Sequence, residues 1–120
     1  MPIKRIPYWS LSISQDEWAV VRDTIKFFAD RGSDEDAADL AKAVLESTGE
    51  IISISREGLL SCESAIDRWA IDGRPDMKMA RVAGRLCCRI QMAGRCAPSG
   101  YVEVDSPELA PVAAQRSLFD

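Results

Sequence analysis

The chain reads as an α+β domain, predominantly helical, with about four helices and two or three short strands. Three observations carry that expectation: four stretches with apolar residues at three- and four-residue spacing, two short stretches that alternate apolar and polar residues, and a cap or breaker residue at nearly every junction between them. At 120 residues and 47% hydrophobic content there is material for one core. The folded unit is expected to span residues 1–105, followed by an extended tail over 106–120.

Trp9, Leu11 and Ile13 alternate with Ser10 and Ser12, the period-two pattern of a half-buried strand over Tyr8–Ile13. Ser14 and Glu17 then form a capping box that opens a first helix, in which Trp18, Val21, Ile25 and Phe28 make one apolar stripe and Gly32 supplies the stop. Ser33, followed by Asp34, Glu35 and Asp36, is expected to cap a second helix. Its buried face is Ala37, Leu40, Ala41, Val44 and Leu45, and Gly49 ends it.

Glu50 to Ser55 alternates again and predicts a second strand, with continuation of the helix as the competing reading. A third helix is expected from about Ser61 to Asp72, with Cys62, Ala65, Ile66 and Trp69 facing the core, and Gly73-Arg74-Pro75 breaks it. Pro75 suits the first turn of a fourth helix, with Asp76 favourable at that terminus. Met79, Val82, Ala83, Leu86, Ile90 and Ala93 share the apolar face of that helix. Tyr101 to Val104 is the candidate for a last strand, and Ser106 to Pro111 has linker composition.

Charge is unevenly placed. The net value is −4, yet residues 74–95 hold Arg74, Lys78, Arg81, Arg85, Arg89 and Arg95 against Asp76 alone. Lys78, Arg81, Arg85 and Arg89 fall within about 80° of one another on the fourth helix, at 100° per residue. Such a stripe is a candidate nucleic-acid surface. The favoured reading is a solvated face, or one paired with the acids of helix two, Asp34, Glu35, Asp36 and Asp39, since the stripe lacks interleaved aromatics and the whole protein is acidic.

Enzymatic chemistry has little to work with. The chain has no histidine, so the ordinary Ser-His and Cys-His pairs are excluded, and it carries no Gly-rich phosphate loop. The four cysteines, Cys62, Cys87, Cys88 and Cys96, include no Cys-x-x-Cys pair and are expected to be buried thiols. No metal, cofactor or catalytic residue is expected. With no apolar run near the roughly 18 residues a bilayer requires, and no leader pattern, no membrane partner is expected and the location is expected to be cytoplasmic.

The tail holds a different kind of signal. Gln115-Arg116-Ser117-Leu118-Phe119 follows a proline-containing spacer and offers two large apolar side chains that a pocket can take, plus an amide that donates and accepts. This segment resembles the binding motif of the bacterial sliding clamp, the beta subunit of DNA polymerase III, whose usual pattern is Gln-Leu-(Ser or Asp)-Leu-Phe. Four of five positions agree, and Arg116 is the departure, standing where leucine is common.

By that resemblance Leu118 and Phe119 fill the hydrophobic pocket, Gln115 occupies a polar subsite and Ser117 takes the small polar position. The resemblance implies a bacterial, phage or plasmid origin and a role in replication or repair. The competing expectation is a clasp, with Leu118 and Phe119 folded back on their own domain.

Overall fold

The computed structural model describes residues 4–32 and 34–104. It shows a predominantly helical α+β fold with four helices and a four-stranded antiparallel sheet. In chain order the elements are β1 (Lys4–Ser12), α1 (Gln15–Arg31), α2 (Glu35–Ala43), β2 (Val44–Leu45), β3 (Glu50–Ser53), α3 (Arg56–Asp72), α4 (Met77–Arg95) and β4 (Gly100–Val104). The strand order is β2-β3-β1-β4.

β1 is the hinge of the sheet. Its first half pairs with β4, from Lys4 opposite Val104 to Tyr8 opposite Gly100, and its second half pairs with β3, from Trp9 opposite Ser53 to Ser12 opposite Glu50. Trp9, Leu11 and Ile51 point to the helical core, as the alternation requires. Ile6 and Ile52 have the opposite parity and are buried outside the main core cluster. The strand is longer than the alternating stretch because residues 4–8 find a partner ninety-odd positions away in β4.

Helix starts obey local hydrogen bonding. The Glu17 amide donates to Ser14 Oγ (3.3 Å) and the Ser14 amide donates to Glu17 Oε1 (2.9 Å), completing the capping box. Asp76 caps α4 by accepting from the Met79 amide at 2.8 Å, so Pro75 lies just before the cap rather than within the first turn. For α2 the expected cap is displaced by one residue: Asp34, not Ser33, accepts from the Ala37 amide at 3.0 Å.

Two further boundaries differ from the sequence-based expectation. α2 stops at Ala43, and Val44 and Leu45 leave it to pair with Ile51 and Glu50. A β-branched residue beside an available strand partner gains more from the ladder than from another helical turn. Ala41, expected inside, is exposed, while Ala43 is buried. Gly49 therefore closes the β2–β3 turn rather than a helix, with φ +70°, and its carbonyl accepts from the Ile13 amide at 2.8 Å.

α3 begins five residues earlier than expected. Ser55 caps it through the Gly58 amide (3.0 Å), and Leu59 joins Cys62, Ala65, Ile66 and Trp69 on the buried face. Gly58 disguises this start, since glycine reads as a helix breaker. Here it is required by close approach: a Cβ at Gly58 would lie 2.3 Å from Ser53 Oγ, whose hydroxyl donates to the Ser55 carbonyl at 2.8 Å.

The core gathers Trp9, Trp18, Val20, Val21, Leu40, Ile51, Leu59, Ile66, Trp69, Val82, Leu86 and Ile90. The first-helix stripe is only partly spent on it, because Ile25 and Phe28 are half-buried while Val20 and Thr24 are fully enclosed. Thr24 is accommodated by donating its hydroxyl to the Val20 carbonyl at 2.8 Å.

Gly58→Ala is expected to lower the unfolding free energy by about 1–3 kcal/mol, because Ser53 is buried and must move. Gly94→Ala, whose Cβ would meet only Leu59 Cδ1 at 4.0 Å, is expected to be neutral or stabilising by up to about 1 kcal/mol. Urea denaturation of the two variants measures both, and equal losses contradict the packing described.

Candidate functional site

α4 has two unlike faces. Val82, Ala83, Leu86 and Ile90 are buried against α1 and α3, and the residues opposite them are exposed. Lys78, Arg81 and Arg85 stand on the exposed side, and no described carboxylate lies within salt-bridge distance of any of them.

Arg89, the fourth member of the expected stripe, has another task. One Nη1 contacts Glu17 Oε2 at 2.6 Å and its Nη2 donates to the Ser12 carbonyl at 2.6 Å. Arg89 thus fastens α4 to the end of β1 and the start of α1. Glu17 is buried, and its pKa is set by opposing effects. Burial pushes it up, but the Arg89 guanidinium and the Ser14 backbone and hydroxyl together hold it below the usual carboxylate range.

The acids of α2 do not serve this face. Asp34 accepts from Arg68 Nη1 at 2.7 Å and Asp36 pairs with the same guanidinium, so these charges are met by α3. Sequence spacing sets Arg89 nearest the apolar face of α4 and Arg81 farthest from it, but it cannot name their neighbours, which are set by chain packing. The buried role of Glu17 left a partial trace in the capping box. Its guanidinium partner, 72 residues away, left none.

Two cysteines depart from the expected burial. Cys62 is buried and Cys87 half-buried, but Cys88 and Cys96 are exposed. Burial raises the thiol pKa of Cys62 to about 12, aided by the charges of Asp39 and Asp36. Burial likewise raises Cys87 to about 12, aided by Glu63 and Asp67, so both stay protonated at neutral pH. Among the described residues no group of three or more Cys, Asp or Glu is placed to hold a metal ion, and no helix is long and apolar enough to cross a membrane.

Gln115, Ser117, Leu118 and Phe119 lie outside the described residues, so neither docking nor the clasp is decided by this geometry. What the structure adds is a feature that sequence reasoning missed. Leu60 and Ile71 of α3 are exposed, as are Met77 and Met92 of α4. The spacing of Leu60, Asp67 and Ile71 is the signal that marks them as one outer ridge.

The described residues thus define a small helical α+β domain whose α3–α4 pair presents a charged outer surface. No family model, curated protein or solved structure matches this chain.

Acid sensitivity checks the Glu17–Arg89 arrangement. A carboxylate whose folded pKa is depressed stabilises the fold above its unfolded value near 4.5 and loses that contribution as pH falls through the folded pKa. Glu17→Gln is expected to cost about 1–3 kcal/mol at neutral pH, leaving Arg89 short of its partner. The variant is also expected to flatten the decline of stability below about pH 4.5, as followed by thermal melts across that range. A parallel decline in both proteins contradicts the assignment.

Proposed function

We propose that this chain is a small non-enzymatic interaction protein of the cytoplasm that docks on the bacterial sliding clamp and modulates replication or repair. The observation that carries this reading is the agreement of Gln115-Arg116-Ser117-Leu118-Phe119 with the clamp-binding pattern at four of five positions. The chemistry of the segment supports it: two adjacent apolar side chains suit a greasy pocket, and the glutamine amide satisfies a polar subsite.

The folded residues are compatible with a carrier role. Their caps and ion pairs occupy Glu17, Asp34, Asp36 and Asp76 in holding the fold, and Cys62 and Cys87 are held protonated. In this reading the domain is the cargo that the motif delivers to the clamp. Recruitment of a further factor and competition for the clamp pocket are both consistent with that arrangement.

A second reading is nucleic-acid binding through Lys78, Arg81 and Arg85, favoured by their exposure without acidic partners. Three phosphate contacts would give a salt slope of roughly −2.7 on duplex DNA. Against it stands the acidic balance of the whole chain, whose net charge is −4.

Calorimetry against purified clamp tests the leading reading. The intact protein is expected to bind with a dissociation constant in roughly the micromolar range. Leu118→Ala/Phe119→Ala is expected to weaken binding at least about 30-fold, since paired apolar anchors carry most of such an interaction. Equal binding by both proteins, or binding by neither, rejects it.

A further inference from the structure

Four of the five large apolar side chains that stand exposed among the described residues belong to one hairpin: Leu60 and Ile71 on α3, Met77 and Met92 on α4, each half or more exposed. At 100° per residue, Leu60, Asp67 and Ile71 fall within about 40° of one another on α3. Met77, Arg81, Gly84, Cys88 and Met92 fall within about 80° on α4. These are the sides turned away from the core, since Leu59, Cys62 and Ile66 on α3 and Val82, Leu86 and Ile90 on α4 are buried.

Through the middle of this surface charge differs by helix. α3 contributes Glu63 and Asp67 there and Arg56 beside Leu60 at its start, whereas α4 contributes Arg81 and Arg85 there and Arg95 at its end. The two helices run antiparallel, with matched heights. Gly94 faces Leu59, Glu63 takes a hydrogen bond from Gln91 Nε2 and its carbonyl meets Cys87 Sγ, and Asp67 acts on Cys87 from the next turn. Continuing that ladder sets Asp67 level with Gly84, Leu60 level with Met92, and Ile71 level with Arg81 near Met77.

We propose that this outer α3–α4 surface is the interface of a homodimer, with a two-fold axis parallel to the helices laying α3 of each copy antiparallel on α4 of the other. Such an axis preserves height along the helices. Each residue of α3 therefore meets, in the second copy, the α4 residue beside which it stands in its own hairpin. Asp67 settles over Gly84 between Arg81 and Arg85, Leu60 packs on Met92, and Ile71 packs towards Met77.

The surface is complementary to itself in three respects. At its middle the acidic Asp67 of each copy meets Arg81 and Arg85 of the other, twice over, and opposite charges so placed steer and register an interface. Apolar residues at both ends of one helix meet apolar residues at both ends of the other. Gly84, where a Cβ would find no atom within 4 Å, leaves the middle of α4 open to close approach. The inference is independent of the tail reading, and it assigns Arg81 and Arg85 to a second copy in preference to nucleic acid.

Sedimentation of the full chain is the test. The unaltered protein is expected to reach twice its chain mass at high micromolar concentration and to dissociate as salt is raised. Arg81→Glu/Arg85→Glu makes both outer helices acidic, and Glu63→Lys/Asp67→Lys makes both basic. Each variant alone is expected to associate at least about tenfold more weakly, from like charges set face to face. Mixed in equal amounts they are expected to form a heterodimer, because both contacts are then complementary again.

Circular dichroism establishes that each variant is folded, and thiol labelling of the unaltered protein supplies a readout free of substitutions. Cys88 lies within the proposed interface and Cys96 beyond α4, both exposed in the single chain. Cys88 alkylation is expected to slow on concentrating the protein while that of Cys96 does not. A monomer at every concentration, a dimer that both variants leave intact, or concentration-independent Cys88 labelling overturns the proposal. So does duplex DNA captured by Arg81 and Arg85 on a chain that stays monomeric.

Discussion

The carboxylate of Glu17 decides how three elements meet. It caps α1 by taking the Ser14 amide, and from the same position it receives Arg89 of α4, whose other nitrogen reaches the carbonyl at the end of β1. A buried charge is costly unless its hydrogen-bonding capacity is filled, and here it is filled by the Ser14 amide and by Arg89, whose other nitrogen ties in β1. The consequence is geometric. α1 cannot begin elsewhere and α4 cannot rotate about its axis without stranding that charge, and the end of β1 is held by the same guanidinium.

With α4 held in rotation, the division of its faces follows. Val82, Leu86 and Ile90 are aimed at α1 and α3, and Arg81, Gly84 and Cys88 are aimed away. α3 is fixed in the same way from its other flank, where Arg68 takes Asp34 and Asp36 of α2 and lies over the Phe28 ring at 5.9 Å. Each of these exposed or partly exposed pairs contributes little alone. Their value is directional, since between them they set which side of the hairpin is left over, and that leftover side carries the segregated charge and the exposed Leu60, Ile71, Met77 and Met92.

The docking motif proposed for the tail and the dimer surface proposed for the hairpin would serve one use. A short peptide that plugs a pocket binds modestly, because ordering it consumes contact energy. Joining two such peptides through a dimer converts the second attachment into an intramolecular event and raises the effective affinity with no new contact. A small domain that dimerises through one surface is therefore a physically sensible carrier for a weak docking motif.

What the sequence determined by itself is what local physics decides. The helix start at Ser14 was legible because a cap is a hydrogen bond between residues three apart, and the inward faces of α3 and α4 because a helix repeats every 3.6 residues. The likeness of Gln115–Phe119 to the clamp-binding pattern is read from adjacent residues alone. Tertiary structure alone decided matters of distant partnership. Val44 became a strand because Ile51 was beside it, Gly58 opened a helix because Ser53 pressed against it, and Arg89 became an anchor while Arg81 stayed free because only one of them met Glu17. A helical wheel sets Arg89 closer to the buried face than Arg81, but only the packed chain brings a buried carboxylate to it.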